Sequence, residues 1–268
     1  MAMTVLSLCL QNQLYAQSQI EKLPTIEIAK ILNSFEGFWK YWNQYVKLSE
    51  EFIALDTNFI PCSKNEFLKS ISAGQYLPVH LKSETINTYS LYKIDSIRNN
   101  EIYKTLKNVG STKYFQYQME NKPLPHYNFK DLNGFKYNSK TTNGKIVVIK
   151  CWFIKCAKCE EERPLVNKLI KTFKNNKNIL FTSLAFEKAK ELIQFGKTHP
   201  VNYSIIPDKS DYLLNTLKLA GYPTYIIIDE IGNVNKVVDS YAEMEVALKT
   251  LVKYYKSIKN MPPPPPPF

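Results

Sequence analysis

Cysteine is scarce in this chain, with five in 268 residues. That is too few to staple a scaffold through a disulfide framework. After the N-terminus no apolar run reaches the length needed to span a bilayer. Consecutive basic residues are also missing, although the net charge is +11. No nucleic-acid-binding motif accompanies that charge, so it reads as a solvated surface, with an acidic or anionic-surface partner as the alternative. The charge is uneven: residues 1–122 carry 13 Lys and Arg against 11 Asp and Glu, and residues 123–268 carry 22 against 13. A second Cys/His pair at ligand spacing is absent as well. Cys9, Cys62, Cys151, His80, His126 and His199 are scattered, which argues against a structural zinc site.

What is present supports a sizeable core. Hydrophobic residues make up 44% of the chain, and its length suits two domains or one elaborated domain. Met3 to Leu10 is apolar, and Leu14-Tyr15-Ala16 before Gln17 resembles a cleavage site. Residues 1–16 are therefore expected to be a signal peptide. Against this, a basic segment is missing and Gln11-Asn12-Gln13 interrupts the apolar run; the alternative is a frayed terminus. Leu8 before Cys9 argues against a lipoprotein box. A leader would place the protein in the periplasm or cell envelope; without one it is cytoplasmic.

From Ile28 to Ile53 the apolar positions follow helical spacing, with a split expected at Gly37. Ser63-x-x-Glu66 reads as a capping box for a short helix ending at Gly74. Tyr76 to Leu81 and Ile86 to Ile94 read as extended. Asp95 to Val109 reads as a helix stopped by Gly110, and Tyr114 to Met119 as a strand. Cys62, beside Pro61, reads as an inert thiol. Lys122-Pro123-Leu124-Pro125 can continue neither a helix nor a central strand, so it marks the expected boundary between an accessory region, 17–122, and a second domain, 123–259. Residues 260–268 form a proline-rich tail.

In the second domain a hairpin is expected around Asn133-Gly134. Strands are expected at 146–152, 179–184, 203–206, 224–229 and 234–239, and helices at 157–175, 187–198, 210–219 and 242–257. This alternation gives an α/β mixed sheet flanked by helices, preceded by a smaller, mainly helical α+β region. Cys156-Ala157-Lys158-Cys159 sits where the strand 146–152 hands over to a helix. A thiol there faces free N–H groups and the positive end of the helix dipole, which stabilises its thiolate. A thiol one turn later can close a small disulfide with it. A Cys-x-x-Cys beside a β–α unit points to a thioredoxin-like redox site; half a zinc site and a purely structural disulfide are the other readings. Cys156, ahead of the helix proper, is expected to be exposed and to act as the nucleophile. Cys159 is expected to be the resolving thiol. Lys155 and Lys158 add positive charge that favours the thiolate.

Trp152 through Cys159, with Glu162, Pro164 and Asn167, resembles the Trp-x-x-x-Cys-x-x-Cys-x-x-Glu-x-Pro-x-x-Asn run of the TlpA/ResA branch of thioredoxin-like proteins. Gly221-Tyr222-Pro223-Thr224, with the apolar run to Asp229 and Gly232, resembles that branch's second signature. Leu124-Pro125 and Phe129 to Gly134 resemble its entry segment. The resemblance covers about the last half of the chain. It implies a thioredoxin-like fold and a thiol–disulfide oxidoreductase that reduces partner proteins and is recharged by an upstream thiol donor. It calls for no cofactor, metal or nucleic acid. It implies that Glu162 tunes thiol acidity, that Pro223 is a cis-proline facing the thiols, and that the backbone of Tyr222 pairs with an extended substrate. Three lysines depart from the pattern. Lys158 replaces a proline and Lys155 an aromatic, and Lys150 stands where relatives place an acid or amide. Burying Lys150 would be costly. Competing functions are an adaptor with idle thiols and a thiol peroxidase. The latter needs a Thr three residues before its cysteine, where this chain has Phe153.

Overall fold

A computed structural model describes residues 25–83, 86–95 and 100–259. The expected leader and the proline-rich tail lie outside the described residues. The chain divides into two compact units, one ending at Phe115 and the other beginning at Gln116.

In the first unit, α1 (Thr25–Leu32) and α2 (Phe35–Tyr45) precede the short strand β1 (Ile53–Leu55), α3 (Lys64–Ser72), β2 (Tyr76–Leu81) and β3 (Thr88–Lys93). The three strands form a sheet in the order β1-β3-β2, with β1 parallel and β2 antiparallel to β3. The expected helix break at Gly37 falls earlier. The Ser34 hydroxyl caps α2 by accepting from Gly37 N–H at 3.0 Å, which starts the helix at Phe35 and puts Gly37 inside it. Ile53 is a strand residue, not the end of a helix, because its apolar run pairs with Thr88 in β3. The capping box at Ser63 and Glu66 is formed as expected.

The last helix of this region, α4 (Asn100–Met119), continues through Gly110, and Tyr114 to Met119 is helical rather than extended. Gly110 is a contact residue. A Cβ there would lie 2.7 Å from the carbonyl oxygen of Ile71, so glycine lets α4 press against the end of α3. The division between the units falls inside α4, upstream of the Lys122–Pro125 segment. The end of α4 is already bonded into the second unit: Gln116 donates to Asp239 at 3.4 Å, and Glu120 accepts from Lys236 at 3.0 Å.

The second unit opens with the hairpin β4 (Asn128–Lys130) and β5 (Lys136–Asn138). Then follow β6 (Ile146–Trp152), α5 (Ala157–Thr172), β7 (Ile179–Ala185), α6 (Ala189–Gly196), β8 (Ser204–Ile206), β9 (Thr224–Ile228), β10 (Val234–Val238) and α7 (Tyr241–Lys259). The sheet order is β10-β9-β6-β7-β8; β6, β7 and β8 run parallel, β9 is antiparallel to β6, and β10 is antiparallel to β9. This is the thioredoxin-like mixed sheet that the alternation implied. The helix expected at 210–219 is a π-helical turn, Tyr212–Thr216. Leu217 N–H bonds back to Tyr212, and Lys218 then adopts φ 52°, which stops any further helix.

Every residue of β6 is buried, as a central strand requires. Side chains alternate along it. Ile146 and Val148 face a core shared with Val166 and Leu169 of α5 and Met244, Leu248 and Leu251 of α7. Lys150 is next in that phase, so it points into the same layer.

Candidate active site

Cys156 and Cys159 are joined by a disulfide, with Cα atoms 5.2 Å apart. Cys156 is the N-cap of α5, and its Sγ accepts from Cys159 N–H at 3.2 Å. The sulfur therefore occupies the position that a capping oxygen takes at other helix starts. Pro164 lies inside α5. Its ring cannot donate, so it leaves the first turn without one of its ladder bonds.

The expected exposure of Cys156 is corrected: it is 5% exposed, and Cys159 is 0% exposed. The pair packs with Trp152, Ala185 and Leu192, and Phe153, Phe195 and Tyr222 press against that cluster. What accessibility the disulfide has belongs to Cys156. Lys155 and Lys158 are exposed, and Lys158 Nζ donates to Asp239 O at 3.0 Å.

Strand register brings the second signature to this place. Thr224 pairs with Cys151 at the end of β6, so Tyr222 and Pro223 fall beside the start of the Cys-x-x-Cys loop. The Tyr222 ring lies edge-on to Phe153 at 5.7 Å and to Phe186 at 5.1 Å. Burial pushes its phenol up to about 12. The Tyr222–Pro223 peptide is cis, Pro223 is buried, and Thr224 Oγ1 donates to Gly221 O at 2.7 Å.

Beneath the disulfide is a polar cluster. Glu162, 9% exposed, accepts from the Tyr225 hydroxyl at 2.7 Å and from Tyr241 N–H at 3.1 Å. Tyr225 is held far above its usual phenol value, first by burial and then by this carboxylate. Lys150, 3% exposed, donates to Cys159 O at 2.9 Å and lies 6.0 Å from the Tyr203 ring centre. Burial lowers its ammonium to about 8, while Glu162 and Glu160 oppose that fall. Sequence reasoning singled out Lys150 and Glu162 but missed Tyr225, Tyr203 and Tyr241. The available signal for Tyr225 was a single aromatic residue in the strand Thr224–Ile228, whose other members are Thr224 and three isoleucines. Among the described residues, no three His, Cys, Asp or Glu side chains converge to hold a metal ion.

Residues 121–237 match the AhpC/TSA family. The thiol-disulfide oxidoreductase ResA of Geobacillus kaustophilus (strain HTA426) is 30% identical over 141 residues, which is 50% of this chain and 71% of the relative. The chain belongs to the TlpA/ResA-like thioredoxin-superfamily proteins. The thioredoxin-like protein YneN of Bacillus subtilis (strain 168) is similar as well, 29% identical over 125 residues, covering 44% of this chain and 70% of that protein. A solved structure, the thioredoxin domain of a thiol-disulfide oxidoreductase from Bacteroides vulgatus, is 18% identical with a TM-score of 0.44, covering 50% of this chain and 97% of that one. As a TlpA/ResA-like protein the chain is a thiol–disulfide oxidoreductase acting on protein disulfides. In this member the dithiol is backed by a lysine.

Proposed function

We propose that the Cys156–Cys159 dithiol reduces disulfides of partner proteins in the cell envelope. The observation that carries this reading is the disulfide at the start of α5, with Cys156 Sγ at the helix N-cap. In the reduced protein the same N–H groups would favour a thiolate on Cys156. That thiolate attacks one sulfur of the substrate disulfide. A Cys156–substrate bond forms, and the other substrate sulfur leaves as a thiolate and takes a proton. Cys159, as its thiolate, then attacks Cys156 Sγ and releases the second substrate thiol. Two electrons pass to the substrate, the protein ends oxidised, and an upstream dithiol donor returns them.

In this reading Glu162 tunes thiol acidity and proton transfer, while Lys155 and Lys158 favour the thiolate. Extended substrate pairs with the backbone of Tyr222 beside Pro223. The unit ending at Phe115 serves as an accessory region and the unit beginning at Gln116 holds the catalytic dithiol, and a leader at 1–16 would carry the chain to the envelope. Among the described residues no helix is long and apolar enough to cross a membrane.

Insulin reduction with dithiothreitol as the electron source tests the activity. The expected result is turnover well above the dithiothreitol background that disappears in Cys156→Ala. Background rates from the folded wild-type protein would instead favour an adaptor with idle thiols.

A further inference from the structure

We propose that Lys150 is the positioning residue that sets the redox balance of the Cys156–Cys159 pair, by holding a buried positive charge on the inner side of the disulfide. This rests on the dithiol reading above and adds a control that the motif itself does not contain.

The placement follows from β6. Lys150 shares the phase of the aliphatic Ile146 and Val148 and so lies in the buried layer under α5, opposite Tyr225 of β9. Its side chain ends on Cys159 O at 2.9 Å, which fixes the ammonium to the backbone of one of the two cysteines. No carboxylate among the described residues comes within ion-pair distance of it. Glu162 gives its oxygens to Tyr225 and Tyr241, and Glu160 lies 3.1 Å from Arg163. The groups facing Lys150 are therefore Glu160, Glu162 and Arg163 from α5, Tyr225 from β9 and Tyr203 ahead of β8.

A charge this buried needs compensation. The disulfide is neutral and provides none. Reduction by two electrons and one proton leaves one thiol and one thiolate, so a negative charge arises within the Cys156–Cys159 pair, whose Cys159 backbone holds the Lys150 ammonium. The ammonium thus favours the reduced form. Where Lys150 is already neutral, reduction draws a second proton, and that proton goes to the amine. Either way the redox state of the cysteines and the protonation of Lys150 are linked, and linkage is reciprocal.

Reciprocity supplies a test on the unaltered protein. Lysine Cε resonances are followed by NMR against pH in the oxidised and reduced states, with Lys150 assigned by its loss in Lys150→Arg. The expected result is an upward shift of its midpoint on reduction by about one unit. That equals a ten-fold change in the thiol–disulfide equilibrium, or about 30 mV. In glutathione equilibria, Lys150→Met should then be about ten-fold harder to reduce, and Lys150→Arg should stay near wild type. An identical Lys150 midpoint in both redox states overturns the proposal, whether or not Lys150→Met folds. A folded Lys150→Met with the wild-type equilibrium also overturns it. Wild-type insulin turnover separates the two levels. If it is present while Lys150 is indifferent to redox state, only this proposal fails. If it is absent, the dithiol reading fails.

Discussion

Lys155 and Lys158 border the disulfide from solvent, whereas Lys150 reaches it from the buried layer under α5. All three carry the same charge in the sequence. Water separates their effects. Two unit charges 4 Å apart interact by about 1 kcal/mol in bulk water and by about 4 kcal/mol at the effective dielectric near a protein surface. The exposed pair is also screened by salt, and the buried lysine far less. The lesson is that charge in the Cys-x-x-Cys loop counts for less than charge behind it. The members of the inner cluster, Lys150, Glu162 and Tyr225, should therefore respond strongly to substitution, and the outer lysines weakly.

The largest effect is expected from Tyr225→Phe. It strips Glu162 of a 2.7 Å hydrogen bond while leaving the carboxylate buried. One buried oxygen of Glu162 loses its partner while the other keeps Tyr241 N–H, so denaturant unfolding should show a loss of about 3 kcal/mol, the upper end of the usual penalty for an unpaired buried group. A loss near zero would mean that the inner cluster is as wet as the outer lysines.

Next comes the pH dependence of stability. The Lys150 ammonium titrates at about 8 in the folded chain, against 10.5 for an ordinary lysine. Between these values the unfolded chain binds more protons, so stability rises with pH. Below about 8 the penalty of the buried charge is fully present. Buried tyrosines such as Tyr225 act oppositely above their ordinary value of 10, but they are common to both proteins compared. Wild type measured against Lys150→Met should therefore gain about 2 kcal/mol between about pH 7 and pH 10. A flat difference would place Lys150 with the outer pair.

A smaller change is expected from the outer lysines. Replacing both Lys155 and Lys158 by Gln should slow alkylation of Cys156 by about two- to three-fold at low salt, and high salt should erase the difference. An effect of more than ten-fold that survives salt would reverse the comparison. Smallest of all is Cys62→Ser in the first unit, where insulin turnover should be unchanged. Its thiol is raised above the ordinary value, first by burial and then by Glu66 and Asp56, and takes no part in the exchange. A large loss in a folded Cys62→Ser would bring that unit into the chemistry.

How far the sequence could be read depended on the reach of each interaction. β6 lies where its apolar run implied, and Ser63 caps α3 with Glu66, because strand pattern and capping are settled within a few residues. Cys156 sits at the N-cap of α5 for the same reason. Glycine misled twice. Gly110 looks like a helix stop, but its role is set by Ile71 on another helix. Gly37 looks like a break, but the local hydroxyl of Ser34 decides where α2 begins. The burial of Cys156 was not legible, because it comes from Tyr222, Phe195 and Leu192, far along the chain. Tyr225 as the partner of Glu162 was hidden too, since only the pairing of β9 with β6 brings that hydroxyl under α5.

The most direct test of the account is trapping. Cys159→Ala removes the proposed resolving thiol, so on exposure to a disulfide-bonded protein such as insulin it should accumulate a mixed disulfide, mapped by mass spectrometry to Cys156. Capture by Cys156→Ala through Cys159, with none by Cys159→Ala, would contradict the assignment of roles. Capture by neither variant would contradict thiol–disulfide exchange at this site.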